Sequence, residues 1–177
     1  MNLSRRLLIT TGLSGLAASF ISCRSESEPL TGASAAAQTK QPSAERFEVS
    51  YSDEEWRKRL TPNQYAVLRR ESTERPYTSP LNEEHRAGTF GCAGCERELF
   101  AADTKFESGT GWPSFWQPID KAAVGERQDG SAGMVRVEVH CGRCGGHLGH
   151  VFNDGPAPTG LRYCMNGVAM SFKPAAA

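Results

Sequence analysis

Two Cys-x-x-Cys pairs constrain the fold of this chain more than any other feature of its sequence. The pairs are Cys92-Ala-Gly-Cys95 and Cys141-Gly-Arg-Cys144, each with a glycine between its cysteines. Thiolates held three positions apart on a turn suit a tetrahedral zinc ion, and four of them fill its coordination shell. We therefore predict one structural zinc ion that joins two turns far apart in the sequence.

Two redox-active disulfides are the alternative for these pairs, and an oxidising compartment would permit them. Redox-active pairs normally lie at the start of a helix in a βαβ unit, and the surrounding sequence shows no such pattern. A metal also suits a small domain, because zinc binding contributes directly to its folding energy. The sequence favours zinc over the disulfides.

The first 23 residues have the pattern of an export signal. Arg5 and Arg6 precede an apolar run over residues 7–21, which is too short and too glycine-rich to indicate a membrane span. Residues 4–9 resemble a twin-arginine signal, which directs the export of an already folded protein. We therefore expect residues 1–23 to send the chain to the periplasm.

A cysteine closes this segment. Ile21-Ser22-Cys23 resembles the end of a bacterial lipobox, in which the cysteine is acylated and becomes the mature N-terminus. Cleavage within the small residues 33–37 is the alternative, and it would release a soluble protein. Residues 24–46 are rich in Ser, Ala, Gln, Pro and Thr, which is typical of a flexible tether. We expect a lipid on Cys23 to anchor the protein to the membrane.

The rest of the sequence predicts a small, mostly antiparallel β domain over residues 47–173, followed by a short tail, 174–177. Capping boxes that begin at Ser52 and Thr61 predict two short helices, the second with a proline at its first position. Beyond Gly88, short apolar runs alternate with Gly, Pro, Asn and Asp clusters. The candidate strands are 89–90, 99–100, 134–139, 147–152, 161–165 and 168–172.

Charge and hydropathy disfavour two classes of function. Twenty basic residues balance twenty acidic ones, so the chain has no broad positive field for binding nucleic acid. No window offers the roughly 18 to 20 uninterrupted apolar residues of a membrane-spanning helix. Contact with a membrane is therefore expected only through the N-terminal lipid.

Cys164 lies apart from both pairs, and its neighbours indicate a reactive thiol. A small buried side chain in a strand is the alternative for such a cysteine. His147 and His150 precede it, and Arg162 is close in sequence. Imidazole and guanidinium groups activate thiols or donate protons. The histidines have metal binding as a second possible role, although four cysteines already satisfy a zinc ion.

The segment from Gly109 to Trp116 is dense in aromatic residues. Trp112 and Phe115 lie there between glycines, a proline and a serine. The segment suits either a loop that covers the core or the wall of a binding site, in which an indole face holds a small apolar group.

Taken together, these motifs closely resemble the type B methionine sulfoxide reductases, which act on the R epimer of methionine sulfoxide. The resemblance extends over about residues 50–173. It rests on the two cysteine pairs, Ser108-Gly-Thr-Gly-Trp112-Pro-Ser-Phe115, Gly146-His147-Leu-Gly-His150-Val-Phe-Asn-Asp-Gly-Pro156 and Gly160-Leu-Arg162-Tyr-Cys164-Met-Asn166. It implies a fold of two antiparallel sheets, a zinc ion on four cysteines and a catalytic cysteine at Cys164.

The same resemblance implies roles for the other site residues. Cys164 would attack the sulfoxide sulfur and become a sulfenic acid, while His147 or His150 supplies a proton. Asn166 would orient polar groups. The expected substrate-binding residues are Trp112, Phe115 and Arg162.

The sequence departs from much of the family at Thr110, where many members have a resolving cysteine. We therefore expect an external thioredoxin-like protein or small thiol to reduce the sulfenic acid. The expected substrate is methionine-R-sulfoxide in oxidised exported proteins, and the domain is expected to act as a monomer. A non-catalytic zinc module that binds a protein partner, and a periplasmic dithiol oxidoreductase, remain as alternatives.

Overall fold

The computed structural model describes residues 45–176, which form two α-helices and nine β-strands. The expected signal, 1–23, and nearly all of the expected tether, 24–46, lie outside the described residues. Neither described helix has the length and apolar character needed to cross a membrane. The elements are α1 (Asp53–Arg59), α2 (Pro62–Arg70), β1 (Gly88–Cys92), β2 (Glu98–Ala101), β3 (Lys105–Phe106), β4 (Ser114–Phe115), β5 (Val124–Asp129), β6 (Arg136–Cys141), β7 (His147–Phe152), β8 (Arg162–Met165) and β9 (Met170–Pro174).

The strands form two antiparallel sheets. One has three strands in the order β2-β1-β9, and the other has six in the order β3-β4-β8-β7-β6-β5. This confirms the expected mainly β fold with two antiparallel sheets and short N-terminal helices. Strand β8 lies inside the larger sheet and is paired with β4 on one side and β7 on the other. Its backbone is therefore fixed from both sides.

Both helices begin where the sequence predicts. The side chain of Ser52 accepts a hydrogen bond from the Glu55 backbone, and Thr61 and Gln64 form the equivalent capping box in front of α2. Satisfying the first free N–H groups in this way fixes where each helix begins. The helices bury one face each, with Trp56 in α1 and Tyr65 and Leu68 in α2.

The six expected strands are present as β1, β2, β6, β7, β8 and β9, and of these only β7 has the predicted bounds. Strand β6 begins at Arg136, and Val135 before it is exposed. Strand β9 begins at Met170, because Gly167–Ala169 forms a short 3-10 turn. Strands β3, β4 and β5 were not predicted. The first two have only two residues each, and the central residues of β5 are polar and exposed and show no alternation.

An aromatic cluster fills the space between the sheets. The rings of Phe100 and Phe115 stack with centroids 4.4 Å apart, and Phe90 packs edge-on against Phe115 at 5.0 Å. All three side chains are fully buried. Stacked and edge-to-face aromatic pairs stabilise a core beyond the burial of their area.

Candidate active site

The four paired cysteines meet at one point. Their sulfur atoms all lie within 4.8 Å of one another, with Cys92 to Cys144 at 3.7 Å and Cys95 to Cys141 at 3.5 Å. Four sulfurs placed about 2.3 Å from a tetrahedral zinc would be about 3.8 Å apart, so this donor set fits zinc. A disulfide requires sulfurs about 2.05 Å apart, and all four cysteines are free. The geometry therefore favours a closed structural zinc site.

This metal centre joins the two sheets. Cys92 ends β1 of the smaller sheet and Cys95 lies in the turn that follows, whereas Cys141 ends β6 of the larger sheet and Cys144 lies in the turn before β7. Strand β7 begins at His147, three residues after Cys144. The zinc site therefore holds the start of the strand that carries both site histidines.

Cys164 lies in a row of polar side chains that crosses the larger sheet. It is paired in register with His150 on one side and Ser114 on the other. The row continues from His150 to Glu138 and then to Arg127. Directly paired residues on neighbouring strands share a face of the sheet, so these groups are brought together although they are far apart in sequence.

A small cleft opens beside the thiol of Cys164. Its volume is about 120 Å³. Cys164 is partly exposed there, while its neighbours Tyr163 and Met165 are buried on the opposite face of β8. This partial exposure separates it from an inert core cysteine. The lining residues are Thr73, Trp112, Arg136, Gly149, His150, Phe152, Cys164 and Asn166.

His150 lines the cleft, and a carboxylate holds its ring. Its Nε2 lies 2.7 Å from an Asp129 carboxylate oxygen, which also accepts a hydrogen bond from Arg136 at 2.8 Å. Burial lowers the pKa of His150, and the contact with Asp129 opposes that shift. The pKa of Asp129 is itself lowered, chiefly by the backbone N–H and hydroxyl of Ser131 and then by His150. A carboxylate on one ring nitrogen fixes which nitrogen is available for chemistry.

His147 lies next to His150 but is buried. The two rings are 5.5 Å apart in a T-shaped arrangement. Its Nδ1 lies 2.8 Å from Glu138, and its Nε2 has no hydrogen-bond partner. Both histidines therefore contact carboxylates, and the one group with metal-binding geometry among residues 45–176 is the cysteine cluster. The geometry does not favour the alternative in which they bind a metal.

Glu138 is a buried carboxylate that the sequence reasoning did not select. Burial raises its pKa, but contacts from His140 and His147 and the charge of Arg127 lower it to about 2. Arg127 Nε lies 2.6 Å from it. The alternation of residues 134–139 does indicate that Arg136 and Glu138 lie on one face of a strand. Pairing of that face with β7 could not be deduced from the alternation alone.

Of the two aromatic residues expected to bind substrate, Trp112 lines the cleft and Phe115 does not. Trp112 lines the cleft, and its indole N–H donates to the Glu74 carbonyl at 3.1 Å. Phe115 does not reach the cleft, because it is fully buried in the aromatic cluster. Its register partner is Tyr163, so it points to the face of the sheet opposite Cys164. The expectation that Phe115 binds substrate is therefore wrong.

Arg162 begins β8, and Asn166 directly follows its last residue. The Arg162 guanidinium makes two hydrogen bonds of 2.8 Å to Asp154 and lies 4.4 Å from the centre of the Phe152 ring, outside the cleft lining. Its pKa is raised, mainly by Asp154 and to a smaller extent by Cys164. Asn166 is buried at the cleft and donates to the Leu148 carbonyl at 3.0 Å.

Thr110 faces the thiol. Its hydroxyl lies 3.8 Å from the Cys164 sulfur and 2.8 Å from the hydroxyl of Ser108, which is bonded in turn to Ser114. The cysteine cluster accounts for every other cysteine in residues 45–176. No second thiol of this part of the chain is therefore free to resolve an oxidised Cys164.

Comparison with known proteins identifies the family. Residues 60–174 match the SelR domain model. A protein named peptide methionine sulfoxide reductase MsrB from Leptospira interrogans is 54% identical over 127 residues, which are 72% of this chain and 97% of that protein. Proteins of the same name from Bradyrhizobium diazoefficiens and Methanosarcina barkeri are 56% and 57% identical, over 71% of this chain and 91% and 88% of their own lengths. The chain belongs to the type B methionine sulfoxide reductases, the SelR-domain family of peptide-methionine (R)-S-oxide reductases.

Proposed function

We propose that the chain reduces methionine-R-sulfoxide in proteins by direct attack of the Cys164 thiolate on the sulfoxide sulfur. The observation that carries this proposal is the placement of Cys164 in the cleft, beside His150 and Trp112. A sulfoxide needs a soft nucleophile at sulfur and an acid at oxygen, because protonation turns the oxygen into a better leaving group. These residue types supply both requirements within one small cavity.

In the proposed step, a bond forms between the Cys164 sulfur and the substrate sulfur while the sulfoxide oxygen takes up a proton. Transfer of the resulting hydroxyl to the Cys164 sulfur breaks the sulfur–oxygen bond of the substrate and the new sulfur–sulfur bond. This leaves a sulfenic acid and releases methionine, so the cysteine is oxidised as the sulfoxide is reduced. His150 is the proton donor that reaches the cleft. The His147 ring, which Glu138 holds through Nδ1, packs edge-on against the His150 ring. Trp112 forms the apolar wall for the substrate methyl group.

An assay with separated epimers tests this function. We expect the full chain, with dithiothreitol as reductant, to consume N-acetylated methionine-R-sulfoxide and to leave the S epimer unchanged. The thiol approaches the sulfur from one side, the acid contacts its oxygen and the indole wall contacts its methyl group, so the mirror-image arrangement cannot satisfy all three. Equal consumption of both epimers would contradict the proposal, and chromatography of the released methionine measures the outcome.

We propose that an external thiol reduces the sulfenic acid. Support comes from Thr110, whose hydroxyl occupies the place next to Cys164 where an intramolecular thiol would act. A thiolate from a thioredoxin-like protein or a small molecule would attack the sulfenic sulfur, release water and leave a mixed disulfide. A second thiol would then restore Cys164.

Replacing Thr110 with cysteine should change how the cycle ends. The new sulfur would lie near the Cys164 sulfur, since the present oxygen is 3.8 Å from it, and Gly109 and Gly111 on either side have positive φ values that allow a small shift. After one turnover without reductant, we expect a disulfide between residues 110 and 164 in Thr110→Cys. The wild type should instead give a dimedone adduct on Cys164.

Mass spectrometry of peptides distinguishes these products, and Thr110→Ser is the matched control. The serine variant should give the same dimedone adduct as the wild type. A dimedone adduct without any disulfide in Thr110→Cys would show that the two positions cannot approach closely enough.

We further propose that the enzyme repairs oxidised proteins outside the cytoplasm and is held at the membrane by a lipid on Cys23. The pattern of residues 1–23 supports this proposal. In cells grown with a labelled fatty acid, the wild type should carry the label and Cys23→Ser should not. An unlabelled, soluble periplasmic product would indicate cleavage near Ala37 instead.

A further inference from the structure

Glu74 contacts several parts of the active site without lining the cleft. Its backbone carbonyl accepts a hydrogen bond from the Trp112 indole at 3.1 Å. Its backbone N–H donates to the side-chain oxygen of Asn166 at 2.9 Å. Its own side chain is absent from the cleft lining, whereas Trp112 and Asn166 both belong to it. The backbone of a single residue thus bonds two of the side chains that line the cleft.

The carboxylate of Glu74 fixes this arrangement to the segment that follows the nucleophile. It accepts hydrogen bonds from the backbone N–H groups of Gly167 and Val168, the latter at 3.0 Å. These groups begin the 3-10 turn Gly167–Ala169, which comes directly after β8 and has no cap from the side chain of Asn166. Glu74, which is distant in sequence, therefore caps this turn.

The choice of a carboxylate has a physical reason. Two N–H donors point at the side chain, one at each oxygen, and only a carboxylate offers an acceptor at both. A glutamine of the same length has one acceptor, and its NH₂ group would face the second donor. The glutamate side chain is half-buried, and charge-assisted hydrogen bonds of this kind are about twice as strong as neutral ones.

We propose that Glu74 is a positioning residue that sets the Trp112 indole and the Asn166 amide around the sulfoxide cleft and so determines the preference for a methyl group on the sulfur. The inference rests on the proposed function, because it assigns the Trp112 wall to the substrate methyl. When the carboxylate no longer binds the turn, the loop that carries the Glu74 carbonyl shifts, and the indole shifts with it. A displacement of about 1 Å can cost about 100-fold in rate.

Glu74→Gln tests this inference, with Glu83→Gln as the matched control. Glu83 is in a neighbouring loop, and its side chain is 89% exposed. Both are made in the full chain with its zinc, and zinc content and the thermal midpoint are measured first. Glu74→Asp is the second variant if the glutamine form fails to fold, since aspartate keeps both acceptors on a shorter side chain.

The first measurement does not depend on activity. The Trp112 indole N–H is observed by NMR and identified by its loss in Trp112→Phe. In Glu74→Gln we expect its signal to shift and its exchange with solvent to accelerate about tenfold or more, because the carbonyl partner is displaced. In Glu83→Gln both should match the wild type. An unchanged Trp112 signal in a folded Glu74 variant would overturn the inference.

The second measurement compares the R-sulfoxides of N-acetylmethionine and N-acetylethionine, which carry a methyl and an ethyl group on sulfur. In Glu74→Gln we expect the ratio of kcat/KM for methyl over ethyl to fall about tenfold, since one methylene in a fitted pocket is worth about 10- to 200-fold. A purely structural role would lower the amount of active enzyme and leave this ratio and both KM values unchanged. That outcome would also overturn the inference.

The two proposals fail in different ways. A wild type that reduces neither sulfoxide would refute the proposed function, and the NMR comparison would still report whether Glu74 positions Trp112. A wild type that is active, with Glu74 variants that retain both the indole signal and the methyl preference, would refute the positioning role alone.

Discussion

Replacing Cys164 with serine should abolish the reductase activity, with a fall in kcat/KM of at least about 10³-fold. The Cys164 sulfur lines the cleft, and none of the other cysteines in residues 45–176 does so. A serine hydroxyl keeps the size and much of the polarity of the site but is a far weaker nucleophile toward sulfur, and it cannot carry the oxygen as a sulfenic acid. Reduction of methionine-R-sulfoxide with dithiothreitol measures the loss.

The variant must be shown to be folded. Cys164 does not belong to the metal-binding cluster, so Cys164→Ser should retain its zinc and its thermal midpoint. Cys23→Ser, purified and assayed in the same detergent, makes the same substitution at a cysteine outside the matched SelR domain, residues 60–174, and should retain full activity. If Cys164→Ser kept a tenth or more of the wild-type rate, another group would have to be the nucleophile.

Replacing Cys144 with serine should unfold the domain. Zinc binding to four thiolates contributes about 10 kcal/mol or more of apparent free energy, and a typical domain is stable by only about 5–15 kcal/mol. Cys144 is buried, and its sulfur contacts Cys92 of the other sheet, so no nearby water can replace the lost ligand easily. We expect the variant to lose its zinc and its cooperative thermal transition.

Elemental analysis and circular dichroism measure these two changes. Cys164→Ser is the matched control, because it removes a thiol outside the cluster. Removing zinc from the wild type with a chelator should reproduce the unfolding seen in Cys144→Ser. A variant that kept the wild-type midpoint without metal would show that the cluster does not stabilise the fold.

Local signals predicted much of this molecule. Both capping boxes and strand β7 lie where short sequence patterns placed them, because each is determined by residues within a few positions. The cysteine pairs were equally informative, since only a few kinds of site use that spacing. These features required no knowledge of how distant segments meet.

Long-range contacts account for what the sequence reasoning missed. Glu138 and Asp129 acquire roles through the register of β5, β6 and β7, and a residue's register partner depends on the whole sheet. Phe115 was misassigned for the same reason: its position next to a site motif is local, but the face to which it points is set by its pairing with Tyr163 on β8. The face of the sheet on which a side chain lies therefore indicates whether it lines the cleft better than its distance in sequence from a site motif does.

The cross-link between the two sheets has a chemical consequence for the proposed catalytic cycle, in which thiols are the reductant. Cys95 and Cys141 are 46 positions apart, so tying them together restricts the unfolded chain as a long-loop disulfide would. A disulfide at this place would be exposed to the thiols that, in the proposed cycle, regenerate Cys164. Zinc has no redox chemistry, so a zinc–thiolate cross-link is inert to electron transfer. The reductant of the proposed cycle would therefore leave the cross-link between the two sheets intact.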